Sequence, residues 1–151
     1  MKKEKRIIGR LEFVDLPIWD ISQIEAKIDT GAFSSSLHCH NIEKFSKDDE
    51  KWVKFNLLDP EHPSYDERLF SLPIYDIREV KSSNGQTEER VFVKTRISFF
   101  TEEFDIELSL TNRSEMKYPL LIGRKFLKNK FLVDVSKKNV SIKNLNSSAE
   151  L

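Results

Sequence analysis

The chain has 151 residues, 38% hydrophobic and 33% charged, enough for one domain around one core and too few for two. Lysine plus arginine equals aspartate plus glutamate at 25 each, so net charge gives no steering toward nucleic acid or an anionic membrane. No apolar run approaches the roughly 18 residues of a membrane span. The basic start at 1–6 leads into strand-like Ile7-Ile8 rather than a signal-peptide core, and the single cysteine, Cys39, suits a reducing compartment, so a soluble cytoplasmic protein is expected.

Eleven phenylalanines, many β-branched residues and short alternating runs favour strands over long helices. Strands are expected over 6–13, 24–29, 36–45 and 52–57. A loop follows at 58–64, which carries Pro60 and Pro63. Further strands are expected over 69–80, 89–99, 104–110, 118–122, 131–135 and 140–143. Ser82-Ser83-Asn84-Gly85 separates two strand-like runs, and Asn-Gly is a signal for a type I′ turn, so 69–99 reads as one long hairpin. Good helix formers after Gly123 predict one short helix over 124–129. The charged clusters at 47–51 and 102–103 read as solvated turns. A single domain over 1–143 and a frayed tail over 144–151 complete the expectation, with no internal repeat.

Asp29-Thr30-Gly31-Ala32 lies between the alternating run Ile24–Ile28 and the small-residue stretch Phe33-Ser34-Ser35-Ser36-Leu37. An aspartate on a tight strand-to-turn corner, with a glycine that lets the backbone approach, is suited to holding a water molecule. Aspartate before glycine is also ordinary turn chemistry, so the tripeptide alone is weak. The second clue is Tyr118-Pro119-Leu120-Leu121-Ile122-Gly123-Arg124, an apolar strand ending at a glycine that opens the expected helix.

Together these segments resemble the retropepsin-like aspartic proteases, which pair a D-T-G-A loop with a later apolar-apolar-Gly-Arg strand and helix. More closely, residues 7–136 resemble a bacterial retropepsin-like family known as ATP-dependent zinc proteases. The resemblance rests on Gly9-Arg10 with Leu16-Pro17 and on Ala26 to Ala32 with Ser35, Leu37 and His38. It rests also on Lys81 to Gly85 with Arg90, and on Leu110 to Met116 leading into Leu121-Ile122-Gly123-Arg124. It implies a mainly β, closed acid-protease barrel with one short C-terminal helix. Members of that family often occur beside an ATP-grasp ligase that adds glutamates to a ribosomal protein, which implies work on glutamate-rich or ribosome-related peptides.

Peptide hydrolysis of this type uses two carboxylates about 3 Å apart that share a proton. One such loop per chain implies a C2 homodimer in which Asp29 of each subunit meets its mate. The resemblance therefore assigns Asp29 as the catalytic carboxylate, with Thr30 fixing the loop through its hydroxyl and Gly31 permitting the turn. Ala32 and the hairpin tip, Ser83, Asn84 and Gly85, become substrate contacts, the hairpin acting as a flap. Arg90 and Arg113 are candidates for binding substrate carboxylates, the alternative being ion pairs with Glu88, Glu89 or Glu115. Gly123 and Arg124 become structural supports.

The family's zinc label directs attention to His38-Cys39-His40, since histidines two apart on a strand share a face. A zinc site needs three or four ligands, the remaining histidine is His62 in the proline loop, and no His-Glu-x-x-His helix occurs, so no metal is expected. The histidines read instead as strand-edge residues in ordinary hydrogen bonds, with Cys39 in the core. No phosphate-binding loop occurs, so no nucleotide or other cofactor is expected. Phe13, Phe99 and Phe100 read as core or sheet surface and not as base-stacking platforms. Ser34, Ser35 and Ser36 lack a nucleophile elbow and are assigned to hydrogen bonds within the turn. The expected partners are a peptide or protein substrate and a second copy of the chain, with neither nucleic acid nor membrane. The alternatives are a non-catalytic peptide-binding module of the same fold, or a zinc-dependent hydrolase using His38 and His40.

Overall fold

The structure is a computed structural model that describes residues 4–58, 65–81, 85–112 and 117–142. Most of the proline loop, the hairpin tip at 82–84, Arg113 and the C-terminal tail lie outside the described residues. Among those described, eleven strands run β1 Arg6–Ile8, β2 Leu11–Leu16, β3 Ile21–Ile28, β4 Ser35–Lys47, β5 Glu50–Leu57, β6 Asp66–Pro73, β7 Asp76–Lys81, β8 Thr87–Phe99, β9 Glu102–Thr111, β10 Leu120–Ile122 and β11 Phe131–Val133. A 3-10 turn, Pro17–Trp19, joins β2 to β3, and the short helix α1 spans Arg124–Leu127. The mainly β class is as the sequence implies.

Neighbouring strands follow the order β10, β3, β2, β8, β9, β4, and β10 pairs β4 as well as β3, so these six close into a ring. Closure removes the unpaired edges that an open sheet would present. Inside the ring, alternation along β2 and β3 sends Val14, Leu16, Ile24, Ala26 and Ile28 inward, where they meet Leu37, Val93, Ile97, Leu108 and Leu120. A meander of β5 and β6 extends from β4, and β7 pairs the outer half of β8.

Two hairpins turn without glycine. Asp48 and Asp49 between β4 and β5, and Phe100 and Thr101 between β8 and β9, have φ of 52°, 63°, 51° and 68°. Positive φ at both central residues is the type I′ pattern, whose twist suits paired strands. The cluster at 47–51 thus contains a turn, whereas Glu102 and Glu103 open β9.

Three expected elements are divided or replaced. The strand over 6–13 breaks at Gly9-Arg10 because residues 134–139 cross there: Arg10 N donates to Lys137 O at 2.9 Å, and Asn139 N donates to Leu11 O at 2.8 Å. A Cβ at Gly9 would lie 2.3 Å from the Lys137 carbonyl oxygen, so only glycine admits this crossing. The run 69–80 breaks after Pro73. Ile74 N bonds back to Lys51 O at 2.9 Å, and Tyr75 N bonds forward to Phe92 O at 2.8 Å, so the chain changes neighbours within one residue. Residues 69–73 therefore belong with β5, and the hairpin consists of β7 and β8 alone.

The strand expected over 140–143 is helical at 140–142. Its cause is Glu12, fully buried at the inner end of β2. Glu12 carboxylate oxygens accept from Gly9 N at 2.8 Å, Val140 N at 3.1 Å, Ser141 N at 3.0 Å and Ser141 Oγ at 2.9 Å. A buried carboxylate is tolerated when donors saturate it, and here it takes the N–H groups that a strand would have offered to a neighbour.

Candidate active site

The site begins where β3 ends. Ile28 is buried, Asp29 is half-buried, and Thr30 and Gly31 are exposed. Asp29 N donates to Ile122 O at 2.9 Å, so β10 holds the aspartate backbone as a continuation of its parallel pairing with β3. Gly31 N donates to the Asp29 carboxylate Oδ1 at 2.9 Å, and Ala32 N donates to Asp29 O at 3.2 Å. The aspartate thereby shapes its own turn, in the manner of an Asx turn. One carboxylate oxygen is committed to this N–H while Oδ2 has no such tie within the loop.

Gly123 passes directly behind the loop. A Cβ there would meet the carbonyl oxygens of Ser34, Phe33 and Ala32 at 2.6, 2.7 and 2.8 Å, all of them backbone. Arg124 N donates to Ala32 O at 2.8 Å and Lys125 N to Phe33 O at 2.9 Å. The first N–H groups of α1, which have no partner inside the helix, thus clamp the loop carbonyls. Ser35 Oγ accepts from Gly123 N at 3.1 Å, and the Arg124 guanidinium donates to Thr30 O at 2.9 Å. The structure brings Asp29, Thr30, Gly31, Ala32, Gly123 and Arg124 together. The Thr30 carbonyl is held by the Arg124 guanidinium.

Gly85, with φ of 84°, and Arg90 sit on the hairpin of β7 and β8, while Ser83, Asn84 and Arg113 lie outside the described residues. The hairpin connects to the loop through one sheet face. Ser36 pairs with Ser109 across β4 and β9, and Ser109 pairs with Phe92 across β9 and β8. Ser109 Oγ donates to Ser36 Oγ at 3.1 Å. A cavity of about 190 Å³ opens on this side, lined in part by Ser34, Phe92, Lys94, Lys125 and Lys130.

His38 and Cys39 are both fully buried, and β4 is no edge strand here, since β9 flanks it at His38 and β5 at Cys39. The His38 ring Nδ1 lies 3.2 Å from Thr111 O, and burial pushes the Cys39 thiol well above its ordinary pKa. Three further site features escaped the sequence. The sequence points Ser35 to the turn in general, whereas the structure gives its hydroxyl Gly123 N as partner. Phe33, 56% exposed beside Asp29, stacks near Arg124 at 5.9 Å. Arg78 stands directly opposite Arg90, whereas a two-residue turn at Asn84-Gly85 would set it opposite Val91.

A closed β ring with one Asp-Thr-Gly corner, braced by an apolar-Gly-Arg strand and helix, defines the class as a single-lobed acid-protease fold. The chain belongs to the RimB-like family, described as retropepsin-like aspartic endopeptidase RimB, which it matches over residues 7–144. It is 39% identical over 140 residues to a protein of Shewanella pealeana named "Probable alpha-L-glutamate ligase", covering 90% of this chain and 30% of that one. A protein of the same name from Desulfotalea psychrophila is 35% identical over 134 residues, covering 86% and 28%. The chain thus spans about 30% of the length of these curated relatives. Among solved structures, a Legionella pneumophila protein of unknown function (DUF785) superposes with a TM-score of 0.71 at 27% identity, covering 91% of this chain and 99% of that one. Among the described residues, no helix is long and apolar enough to cross a membrane.

Proposed function

We propose that the protein is an aspartic-type endopeptidase that acts as a homodimer, Asp29 of each subunit activating water for hydrolysis of a peptide bond. The observation that carries this reading is the bracing of Asp29 from three directions: Ile122 O holds its N–H, Gly31 N orients its carboxylate, and Gly123 with Arg124 locks the loop behind it. Such preorganisation costs chain entropy and backbone crowding that a plain surface turn does not need. The family's description as an aspartic endopeptidase supports the same chemistry.

In the pair, one carboxylate would stay ionised and take a proton from water, and the other would stay protonated and donate to the peptide carbonyl. Two like charges at about 3 Å cannot both persist, so the dyad shares one proton. Attack by the water oxygen then yields a tetrahedral diol, and proton transfer to the amine nitrogen releases the product. The exposed corner of Thr30, Gly31 and Phe33 is the surface through which the two loops would meet. Glutamate-rich peptides are the proposed substrates, supported by the name "Probable alpha-L-glutamate ligase" of relatives that carry a region similar to this chain.

The test is cleavage of oligoglutamate peptides read by mass spectrometry, beside sedimentation of the same samples. Asp29→Asn should lower the rate at least about a thousandfold with an unchanged circular dichroism spectrum. A wild-type dimer that cuts no such peptide would favour the peptide-binding module, and activity untouched by Asp29→Asn would remove the aspartic mechanism. The reading with His38 and His40 as zinc ligands has less support, because the His38 ring is buried against the Thr111 carbonyl.

A further inference from the structure

A row of polar residues crosses four strands beside the flap. His38 of β4 pairs with Thr111 of β9, and Arg78 of β7 pairs with Arg90 of β8. The β8–β9 register, continued one residue past Val91 and Leu110, sets Arg90 opposite Thr111. Directly opposed residues share a face, so the four line up. The next row on that face is Ser36, Ser109, Phe92 and Asp76, which starts a few residues beyond the Asp-Thr-Gly corner.

Two guanidiniums directly opposite each other repel, and a hairpin gains nothing from the arrangement in isolation. Arg78 is anchored: its Nε donates to Asp76 Oδ2 at 2.7 Å, and its guanidinium lies 4.4 Å from the centre of the Phe92 ring. The fork beyond Nε stays available for a ligand. The Arg90 side chain is only 19% exposed, and its ion pair with Glu88 is long, at 3.9 Å. Arg90 Nε and Thr111 Oγ1 are both buried with no hydrogen-bond partner among the described residues. Buried polar atoms left unpaired are costly, and two of them on facing strands beside paired guanidiniums call for one compact, planar acceptor. A carboxylate has that shape, and arginine binds it with two parallel hydrogen bonds.

We propose that Arg90, Arg78 and Thr111 form a subsite for a carboxylate of the bound peptide. This rests on the reading of the groove as a peptide site but not on cleavage. The carboxylate belongs either to a glutamate side chain or to the peptide's C-terminus. Arg78 is the new member, pinned by Asp76 and Phe92 so that its fork faces the same ligand as Arg90.

The test uses the full chain carrying Asp29→Asn, with tetraglutamate and tetraglutamine, each as free acid and C-terminal amide, titrated by calorimetry. A side-chain carboxylate predicts that glutamate binds at least about tenfold tighter than glutamine in both forms; a terminal one predicts the same gain for acid over amide. Either gain should shrink below about twofold in Arg90→Gln and in Arg78→Gln. Melting curves check that the variants fold, and Arg90→Lys, which keeps charge but loses the fork, should retain only part of the gain. Equal binding of all four peptides, no binding at all, or a gain that survives both glutamine substitutions would overturn the subsite. Cleavage is read separately on the wild-type chain, so a failed peptidase reading and a failed subsite give different results.

Discussion

Gly123 shows how little freedom single residues have around the corner. A methyl group there would push into three backbone oxygens within 2.8 Å, none of which can rotate away. Gly123→Ala is therefore expected to cost about 1–3 kcal/mol in urea unfolding, the range for overpacked sites, and to lower any peptidase activity along with stability. An unchanged unfolding midpoint would contradict the close packing. Cys39 carries a second expectation. Its thiol is fully buried, burial raises its pKa, and the Sγ donates to Leu37 O at 3.4 Å. The thiolate is the reactive form, so a disulfide reagent at pH 8 should leave the native protein unmodified and label one thiol after denaturation. Rapid native labelling would mean that β4 opens locally.

Among the elements, the meander of β5 and β6 depends on an aromatic cluster at its base. Trp19, from the turn between β2 and β3, packs against Phe55 and Phe70 with ring centres 5.8 and 5.6 Å apart, and Arg68 donates to the Trp19 carbonyl at 2.9 Å. Trp19→Ala should cost about 3–5 kcal/mol by denaturant unfolding, with hydrogen exchange rising first in β5 and β6. A small loss spread evenly over the ring would argue against this anchoring. At this scale the sequence was a good guide wherever alternation was clean, as in β3 and β9. It missed the breaks at Gly9-Arg10 and Pro73, because local pattern does not reveal which distant segment claims a backbone N–H. The helical turn at 140–142 is the clearest case. Val140 and Ile142 are strand formers by composition, and only the buried Glu12, far away in sequence, redirects the N–H groups of Val140 and Ser141.

For the whole molecule, acid sensitivity is expected from three carboxylates whose pKa values, among the described residues, are depressed. Asp76 is held down by its hydrogen bond to Arg78, Asp105 by that to Arg96, and Asp134 by the Ser136 hydroxyl and N–H. A lowered folded-state value means the unfolded chain binds protons first. These groups therefore stabilise the fold above the ordinary aspartate range of about 4, and the contribution is lost as pH falls through their folded values. The urea midpoint should be flat above about pH 5 and decline below about pH 4, less steeply when all three are changed to asparagine. A midpoint equally steep in that variant would assign the acid response elsewhere.

The order of motifs along the chain was enough to name the family and the mainly β class, because Asp29-Thr30-Gly31-Ala32 and Ile122-Gly123-Arg124 are each local in sequence. Which strands neighbour one another is a property of backbone hydrogen bonds between segments that lie as far apart as β1 and β11, at opposite ends of the chain. Only the folded ring therefore decides that Gly123 lies behind Asp29, that Ser35 and not another serine receives its N–H, and that Arg78 faces Arg90. Composition sets what a residue can do, whereas register sets what it can reach.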